Sequence, residues 1–329
     1  MRTKIAAAIC GVAATLAMAA PAAAEGETTT YRLGGANRYE TAVAISQWAF
    51  EPGPGEEIPV TVASGVDFPD ALAAGPLAAA EVGPLLLVPK DGVLPASVKS
   101  ELSRLDPLWI NVAGGAGAVS SLVESQLKDY DDVYRLAGRD RYETATELAF
   151  EAGGIDTTVF IATGASFPDA LGGSAAAGRL GGTLMLTRST SLPESTASLL
   201  KYGQPTKVVV LGGTGVISNS VISQIKSIVP GATVQRWAGN DRYATTAAIS
   251  KNTYPQGSDV VYLASGADYP DALAGAPIAA LDGGPLLLTR KECVPAATKQ
   301  EIARLGATDV VVLGGTGVVS NNAANLRSC

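Results

Sequence analysis

No histidine occurs among the 329 residues. That absence excludes a Ser-His-Asp triad, a histidine-ligated zinc hydrolase and a Cys-His nucleophile pair. Cysteine is scarce as well, with Cys10, Cys293 and Cys329 making up the full complement. Aromatic residues are 5% of the chain, so the cores must be built from aliphatic and small side chains. Positive charge is in deficit, 24 Lys and Arg against 31 Asp and Glu. This argues against a nucleic-acid partner, because phosphate binding needs a basic surface. An anionic polymer would have to be held by local arginine clusters rather than by the overall field. Past the first two dozen residues no apolar run reaches the ~20 residues of a membrane span.

The N-terminus reads as an export signal over residues 1–24. Arg2 and Lys4 precede an uncharged apolar stretch from Ile5 to Ala20, and Pro21-Ala22-Ala23-Ala24 offers a small-residue cleavage site. Its removal takes Cys10 with it and leaves a secreted chain with no membrane anchor. In an oxidising compartment Cys293 and Cys329 then read as a disulfide. Such a bridge stabilises by ~3–4 kcal/mol and ties down the C-terminal residue.

What the chain does have is repetition. Arg32-Leu33-Gly34-Gly35-Ala36-Asn37-Arg38-Tyr39-Glu40-Thr41 returns from Arg135 to Thr144 and again from Arg236 to Thr245. Phe68-Pro69-Asp70-Ala71-Leu72 returns at Phe167 and at Tyr269, and Gly114-Gly115-Ala116-Gly117 at Gly212 and Gly314. Three markers in one order, spaced by about a hundred residues, define repeats over 30–129, 130–230 and 231–329, after a short linker at 25–29. Each is the size of one compact core.

Within a repeat, apolar runs alternate with helical stretches. In the second, Val133–Leu136, Val159–Gly164, Leu184–Leu186 and Val208–Leu211 read as strands; the second is a continuous apolar run of the kind buried on both faces and the third a core strand. Asp140 with Glu143 forms a capping box, Pro168 opens a helix, Leu192–Tyr202 is amphipathic, and Ser218–Ile228 follows the Gly-Gly-Thr-Gly turn. This alternation predicts an α/β protein of three parallel-sheet modules with helices on both faces. The alanine runs at 78–80, 175–177 and 279–280 predict helices in close contact where repeats meet.

With histidine gone, only carboxylate chemistry remains. Asp70, Asp169 and Asp271 each follow an aromatic-Pro pair at the carboxyl end of the central strand, where open α/β sheets bind ligands. A lone Asp per repeat lacks the second carboxyl that glycoside hydrolysis requires, and a helix-capping role competes. Ser64, Thr163 and Ser265 end the same strand, as hydrogen-bonding groups rather than nucleophiles. The Gly-Gly turns read either as tight strand-to-helix turns or as anion-binding loops. Arg32, Arg135 and Arg236 lie on strands, and Arg38, Arg141 and Arg242 in the first helical turn, where the helix dipole disfavours a cation. A compensating partner is expected, either a salt bridge such as one to the Pro-Asp carboxylate or an acidic ligand group held bidentately. Tyr39, Tyr142 and Tyr243 are placed to stack on a sugar or to pack half-buried.

The Arg-x-x-Gly-x-[Asn/Asp]-Arg-Tyr-x-Thr opening, the [Ser/Thr]-Gly-x-x-[Phe/Tyr]-Pro-Asp-Ala-Leu centre and the Leu-Gly-Gly-Thr-Gly close resemble the cell wall-binding repeat 2 family of Gram-positive, clostridial surface-layer-type proteins. The resemblance spans residues 30 to 329. It implies flavodoxin- or Rossmann-like modules around a pseudo-threefold axis, attaching an exported protein non-covalently to an anionic wall polymer. The family's Pro-[Ile/Leu]-Leu-Leu stretch, linked with attachment, matches Pro84–Leu87 and Pro285–Leu288; the second repeat has Thr183-Leu184-Met185-Leu186 instead. Members usually carry a separate effector domain, and none is recognisable here. The expectation is therefore a non-enzymatic wall-binding protein without metal or cofactor. The candidate polymer contacts are the paired arginines, the three tyrosines, and the Ser/Thr and Asp positions. The alternatives are an enzyme or modifier of peptidoglycan remodelling and an adhesive coat protein that binds other proteins.

Overall fold

The computed structural model describes residues 28–53 and 55–329; the export signal expected at 1–24 lies outside the described residues. The first repeat runs β1 (Thr29–Leu33), α1 (Arg38–Ala49), β2 (Ile58–Ser64), α2 (Pro69–Ala80), β3 (Leu85–Val88), α3 (Ala96–Leu105), β4 (Pro107–Ala113) and α4 (Ser121–Leu127). The second repeats this order as β5 (Val133–Leu136), α5 (Arg141–Ala152), β6 (Thr158–Thr163), α6 (Pro168–Arg179), β7 (Thr183–Thr187), α7 (Glu194–Gly203), β8 (Lys207–Leu211) and α8 (Asn219–Ile228). The third has β9 (Thr233–Trp237), α9 (Arg242–Thr253), β10 (Val260–Ser265), α10 (Pro270–Asp282), β11 (Leu286–Thr289), α11 (Ala296–Leu305), β12 (Asp309–Leu313) and α12 (Asn321–Ala324).

The strands form three parallel four-stranded sheets, β3-β2-β4-β5, β7-β6-β8-β9 and β1-β12-β10-β11. Each sheet therefore borrows its last strand from the repeat that follows, and the third takes its own from the start of the chain. Leu33 registers with Leu313, Leu136 with Ala113 and Trp237 with Leu211. After each borrowed strand the chain crosses to the next module. Thus α1 leaves the third sheet and packs on β3 and α3 of the first.

Helices α2, α6 and α10 pack on one another at the pseudo-threefold axis, and equivalent positions meet there in layers. Phe68, Phe167 and Tyr269 form the first layer, their ring centroids 5.4–5.7 Å apart pairwise. Seven residues on, Gly75 faces Ser174 and Ala276: a Cβ at Gly75 would lie 2.2 Å from Ser174 Oγ and 3.5 Å from Ala276 Cβ. Ser174 Oγ in turn donates to the Leu72 carbonyl at 2.9 Å. Four residues further, a Cβ at Gly178 would meet the Cβ atoms of Ala79 at 2.8 Å and Ala280 at 3.0 Å. The small residues thus permit the close approach that the alanine runs predicted. Leu72, Leu171 and Leu273 on the same helices are fully or almost fully buried, each stabilising by ~2 kcal/mol. The Leu85–Leu87, Leu184–Leu186 and Leu286–Leu288 strands are buried at 0–2% exposure, so their side chains face the cores.

The disulfide expected between Cys293 and Cys329 is present, and its surroundings give it a local purpose. In the first two repeats a glutamine on the last helix caps the loop that leads into the third helix: Gln126 Oε1 accepts from Leu94 N at 3.0 Å and Gln224 Oε1 from Leu192 N at 2.9 Å. In the third repeat α12 is a single turn and Leu326 stands at that position. Val294 N donates instead to the Arg327 carbonyl at 2.7 Å, and Cys329 N returns a bond to the Val294 carbonyl at 3.1 Å. The disulfide holds in place the segment that does the glutamine's work.

Candidate functional site

Because all strands are parallel, the opening, Pro-Asp and Gly-Gly motifs of every repeat fall on the carboxyl-end face of the three sheets. There the repeats meet in three equivalent junctions. Each combines the Pro-Asp and Gly-Gly segments of one repeat with the opening motif of the next.

The opening motif is shaped by its helix cap. Asn37 and Asp140 accept from the backbone N–H groups two and three residues on, at 2.9–3.1 Å, and Asp241 accepts from Ala244 N at 2.8 Å. Glu40 and Glu143 close the box on the residue before the cap, accepting from Ala36 N at 3.0 Å and Arg139 N at 2.7 Å. The motif threonines fold the preceding loop onto the helix, Thr41, Thr144 and Thr245 accepting from Gly35, Gly138 and Gly239 N at 3.0–3.1 Å.

The carboxylates do not cap their helices. Phe68, Phe167 and Tyr269 are the N-cap residues, and Asp70, Asp169 and Asp271 stand two places on, behind a proline at the first helical position. Their carboxylates turn to the Gly-Gly segments. A Cβ on Gly114, Gly212 or Gly314 would come within 2.3 Å of the Oδ2 of Asp70, Asp169 or Asp271. These glycines also have φ of +92° to +103°, so both conformation and contact require glycine. Burial pushes the Asp70 carboxyl up to about 6, Asp67 adding to the rise and Arg141 opposing it. Burial does the same to Asp271, which reaches about 6 although a hydrogen bond to Thr41 opposes the shift. Asp169 is raised by burial too, against a hydrogen bond to Thr245 and the charge of Arg242. In all three, the opposing groups belong to the neighbouring repeat.

The arginines find backbone partners where a salt bridge to the Pro-Asp carboxylate was one expectation. Arg32, Arg135 and Arg236 donate through Nη1 to the carbonyls of Gly314, Gly114 and Gly212 at 2.6–2.7 Å. Each is thereby stapled to the preceding repeat in the ring. Arg135 adds an ion pair with Glu124 at 2.5 Å. Arg141 donates to the Gly164 carbonyl at 2.6 Å, and Arg38 and Arg242 bond likewise to Gly65 and Gly266. Arg38 also lies 4.0 Å from Asp268 and 6.0 Å from the Tyr269 ring centroid; Arg141 lies 6.0 Å from that of Phe68. Each first-turn arginine therefore compensates for its unfavourable place on the helix dipole with a carbonyl at a strand end.

Ser64, Thr163 and Ser265 are buried, at 1–3% exposure. Their hydroxyls accept from the backbone N–H two residues on, at 3.1–3.3 Å, which fixes the turn leading to the aromatic-Pro-Asp segment. The glycine after each hydroxyl makes room for the motif tyrosine. A Cβ on Gly65, Gly164 or Gly266 would lie 2.7–2.8 Å from Cε1 of Tyr39, Tyr142 or Tyr243. These tyrosines are half-buried, and Arg188 and Arg290 lie over two of the rings, 4.7 and 5.8 Å from the centroids of Tyr142 and Tyr243. At the first junction Asp67, Asp70, Arg139, Arg141 and Thr144 line a cleft of about 390 Å³ with the Gly115–Ala118 turn.

Reading motif by motif missed that the Thr of one repeat serves the Asp of another, and that the aromatics before the prolines meet on the axis. The recurrence of an aromatic at each of those three positions is the signal that could have found the second.

The cell wall binding domain 2 (CWB2) model matches residues 32–124, 135–222 and 236–324. N-acetylmuramoyl-L-alanine amidase LytC of Bacillus subtilis is 32% identical over 300 residues, 91% of this chain and 58% of that protein. The amidase enhancer of the same organism is 34% identical over 272 residues, 82% and 36% of the two chains. Cwp6 from Clostridium difficile superposes with a TM-score of 0.82 at 31% identity, covering 92% of this chain and 48% of that one. Cwp8 gives 0.78 at 29%, with 89% and 50% covered. The chain spans from about a third to just over half the length of these relatives. With three family matches laid end to end on three structural repeats, the chain belongs to the cell wall binding domain 2 family.

Proposed function

We propose that this protein attaches non-covalently to the Gram-positive cell wall by holding an anionic glycopolymer at its three inter-repeat junctions, and that it is not itself an enzyme. The observation that carries this reading is the recurrence of one junction three times on a single face. Three weak sites on one rigid body, meeting a repeating polymer, convert modest affinities into avidity.

The fifteen candidate residues divide by their place in the junction. Arg38, Arg141 and Arg242, with the edges of Tyr39, Tyr142 and Tyr243, are partly exposed and are the proposed polymer contacts. Arg188, Arg290 and the exposed Arg139 add charge beside them. Ser64, Thr163, Ser265, Asp70, Asp169 and Asp271, whose polar atoms are largely buried, are proposed to hold the clefts open and in register, together with Arg32, Arg135 and Arg236, which are as partly exposed as the first-turn arginines but tie each repeat to the one before it. The Leu-rich strands act on attachment through folding alone. Each junction has one Pro-Asp carboxylate, which suits a binding role better than carboxylate-pair catalysis.

The test is retention on purified anionic wall polymer compared with peptidoglycan stripped of it. Retention should need the polymer and weaken with salt. Charge-removing substitutions at Arg139, Arg188 and Arg290 should lower it without lowering the melting temperature. No retention on either material would sink the proposal, and turnover of peptidoglycan would replace it with the catalytic reading that the names of the two Bacillus relatives suggest.

A further inference from the structure

In repeats 1 and 3 the first and third helices are clasped by an internal ion pair. Buried Glu101 accepts from Ser46 Oγ at 2.5 Å and pairs bidentately with Arg104 at 2.7 and 2.9 Å. Glu301 does the same with Ser250, at 2.6 Å, and Arg304, at 2.7 and 2.8 Å. Repeat 2 has lost every member of this clasp. At the equivalent positions of α5 and α7 stand Ala149, Leu199 and Tyr202. Two further positions have diverged beside them: Phe150 replaces Gln47 and Lys251, and Glu147 replaces Ala44 and Ala248.

These changes converge on one groove of about 560 Å³ between α5 and α7. Phe150 and Tyr202 are 55% and 71% exposed, with ring centroids 6.1 Å apart. Leu199 forms the apolar floor, and Ser195 and Ser198 offer hydroxyls. Of the two carboxylates on the wall, Glu143 is paired with Arg139 at 2.9 Å. Glu147 has no ion-pair partner among the described residues.

We infer that this groove is a docking site for an arginine-bearing segment of a partner protein, which supplies from outside the cation that repeats 1 and 3 carry within. Two aromatic faces and a free carboxylate complement a guanidinium with its aliphatic stem. The unpaired Glu147 disfavours the anionic polymer proposed for the junctions, so the groove, although it adjoins the first junction through Glu143 and Arg139, is not a further polymer site.

The probe is a labelled peptide, acetyl-Gly-Arg-Gly-Arg-Gly-amide, followed by fluorescence anisotropy against the intact chain. It should bind at least about tenfold more tightly than the same peptide with citrulline for arginine. Glu147→Ala, which restores the residue of the other repeats, should weaken it similarly. The graft Ala149→Ser/Leu199→Glu/Tyr202→Arg rebuilds the internal clasp and should abolish binding while the melting temperature is kept. Equal binding of both peptides, or binding that survives the graft, overturns the inference. So does preferential binding of a neutral chito-oligosaccharide in the groove, or a dimer of this chain that the graft dissolves.

Discussion

The Asp169 carboxylate occupies the space that a side chain on Gly212 would need: a Cβ there would meet Oδ2 at 2.3 Å. The same pairing joins Asp70 to Gly114 and Asp271 to Gly314, so each repeat builds its junction around an aspartate lodged against a left-handed glycine.

Gly212→Ala should therefore carry two penalties, a φ of +92° and the displaced carboxylate. The sum is about 2–4 kcal/mol of stability, measured by urea unfolding. Adding Asp169→Ala should return only the contact's share, because the backbone strain stays. Full recovery in the double variant would show that the left-handed conformation costs nothing.

The raised carboxyls at the junctions set a pH dependence. In the folded protein Asp70 and Asp271 hold their protons up to about pH 6, whereas the unfolded chain releases them near the ordinary aspartate value of ~3.9. The folded state thus binds more protons between those limits, so these residues add stability as pH falls through 6 and withdraw it as pH rises. Asp70→Asn and Asp271→Asn should each raise neutral-pH stability, by on the order of 2 kcal/mol, and flatten the profile between pH 4 and 6. A profile unchanged by both substitutions would exclude these groups as its origin.

Removal of Thr29–Leu33 should open one sheet and spare two. Hydrogen exchange should quicken along Val310–Leu313, which loses one of its two parallel neighbours, while Val208–Leu211 and Ile110–Ala113 keep both of theirs. Uniform loss of protection in all three sheets would instead mean that ring closure governs the whole molecule.

The last helix offers a comparison within one chain. Gln126→Ala and Gln224→Ala each unpair a loop N–H and should cost about 1 kcal/mol. Cys329→Ser releases the segment that replaces them and should cost about 2–4 kcal/mol. Limited proteolysis should then cut first beyond Ala324, and protection of that segment in the reduced protein would assign its order to the β-bridge of Val294 with Ser328.

The alternation of strand and helix, the parallel sheets and the closely packed helices were legible because they rest on periodicity and on side-chain size. Pro193 was read inside an amphipathic stretch, and α7 begins just after it, at Glu194. The strand exchange between repeats left no such trace. A repeated unit has no intrinsic starting point, so Arg135 looked like the opening of one module and proves to be the closing strand of another. Nor could the arginines' partners be read, since Gly114, Gly212 and Gly314 accept through carbonyls that every residue possesses. The divergence of repeat 2 at Glu147, Leu199 and Tyr202 was written in the sequence all along; without the helix pairing, nothing joined the three positions.

Strand β1 has one further consequence, for the order in which the molecule comes into being. Of the twelve described strands it emerges from the ribosome first, and its neighbour β12 emerges last. The sheets ending in β5 and β9 can be completed by strands that follow closely, while the third must wait for a contact spanning some 280 residues, from Thr29 to Asp309. Contacts so distant in sequence form slowly. A chain that still lacks β12 thus cannot lock into its ring, and the twelfth strand is the one that releases the first from waiting.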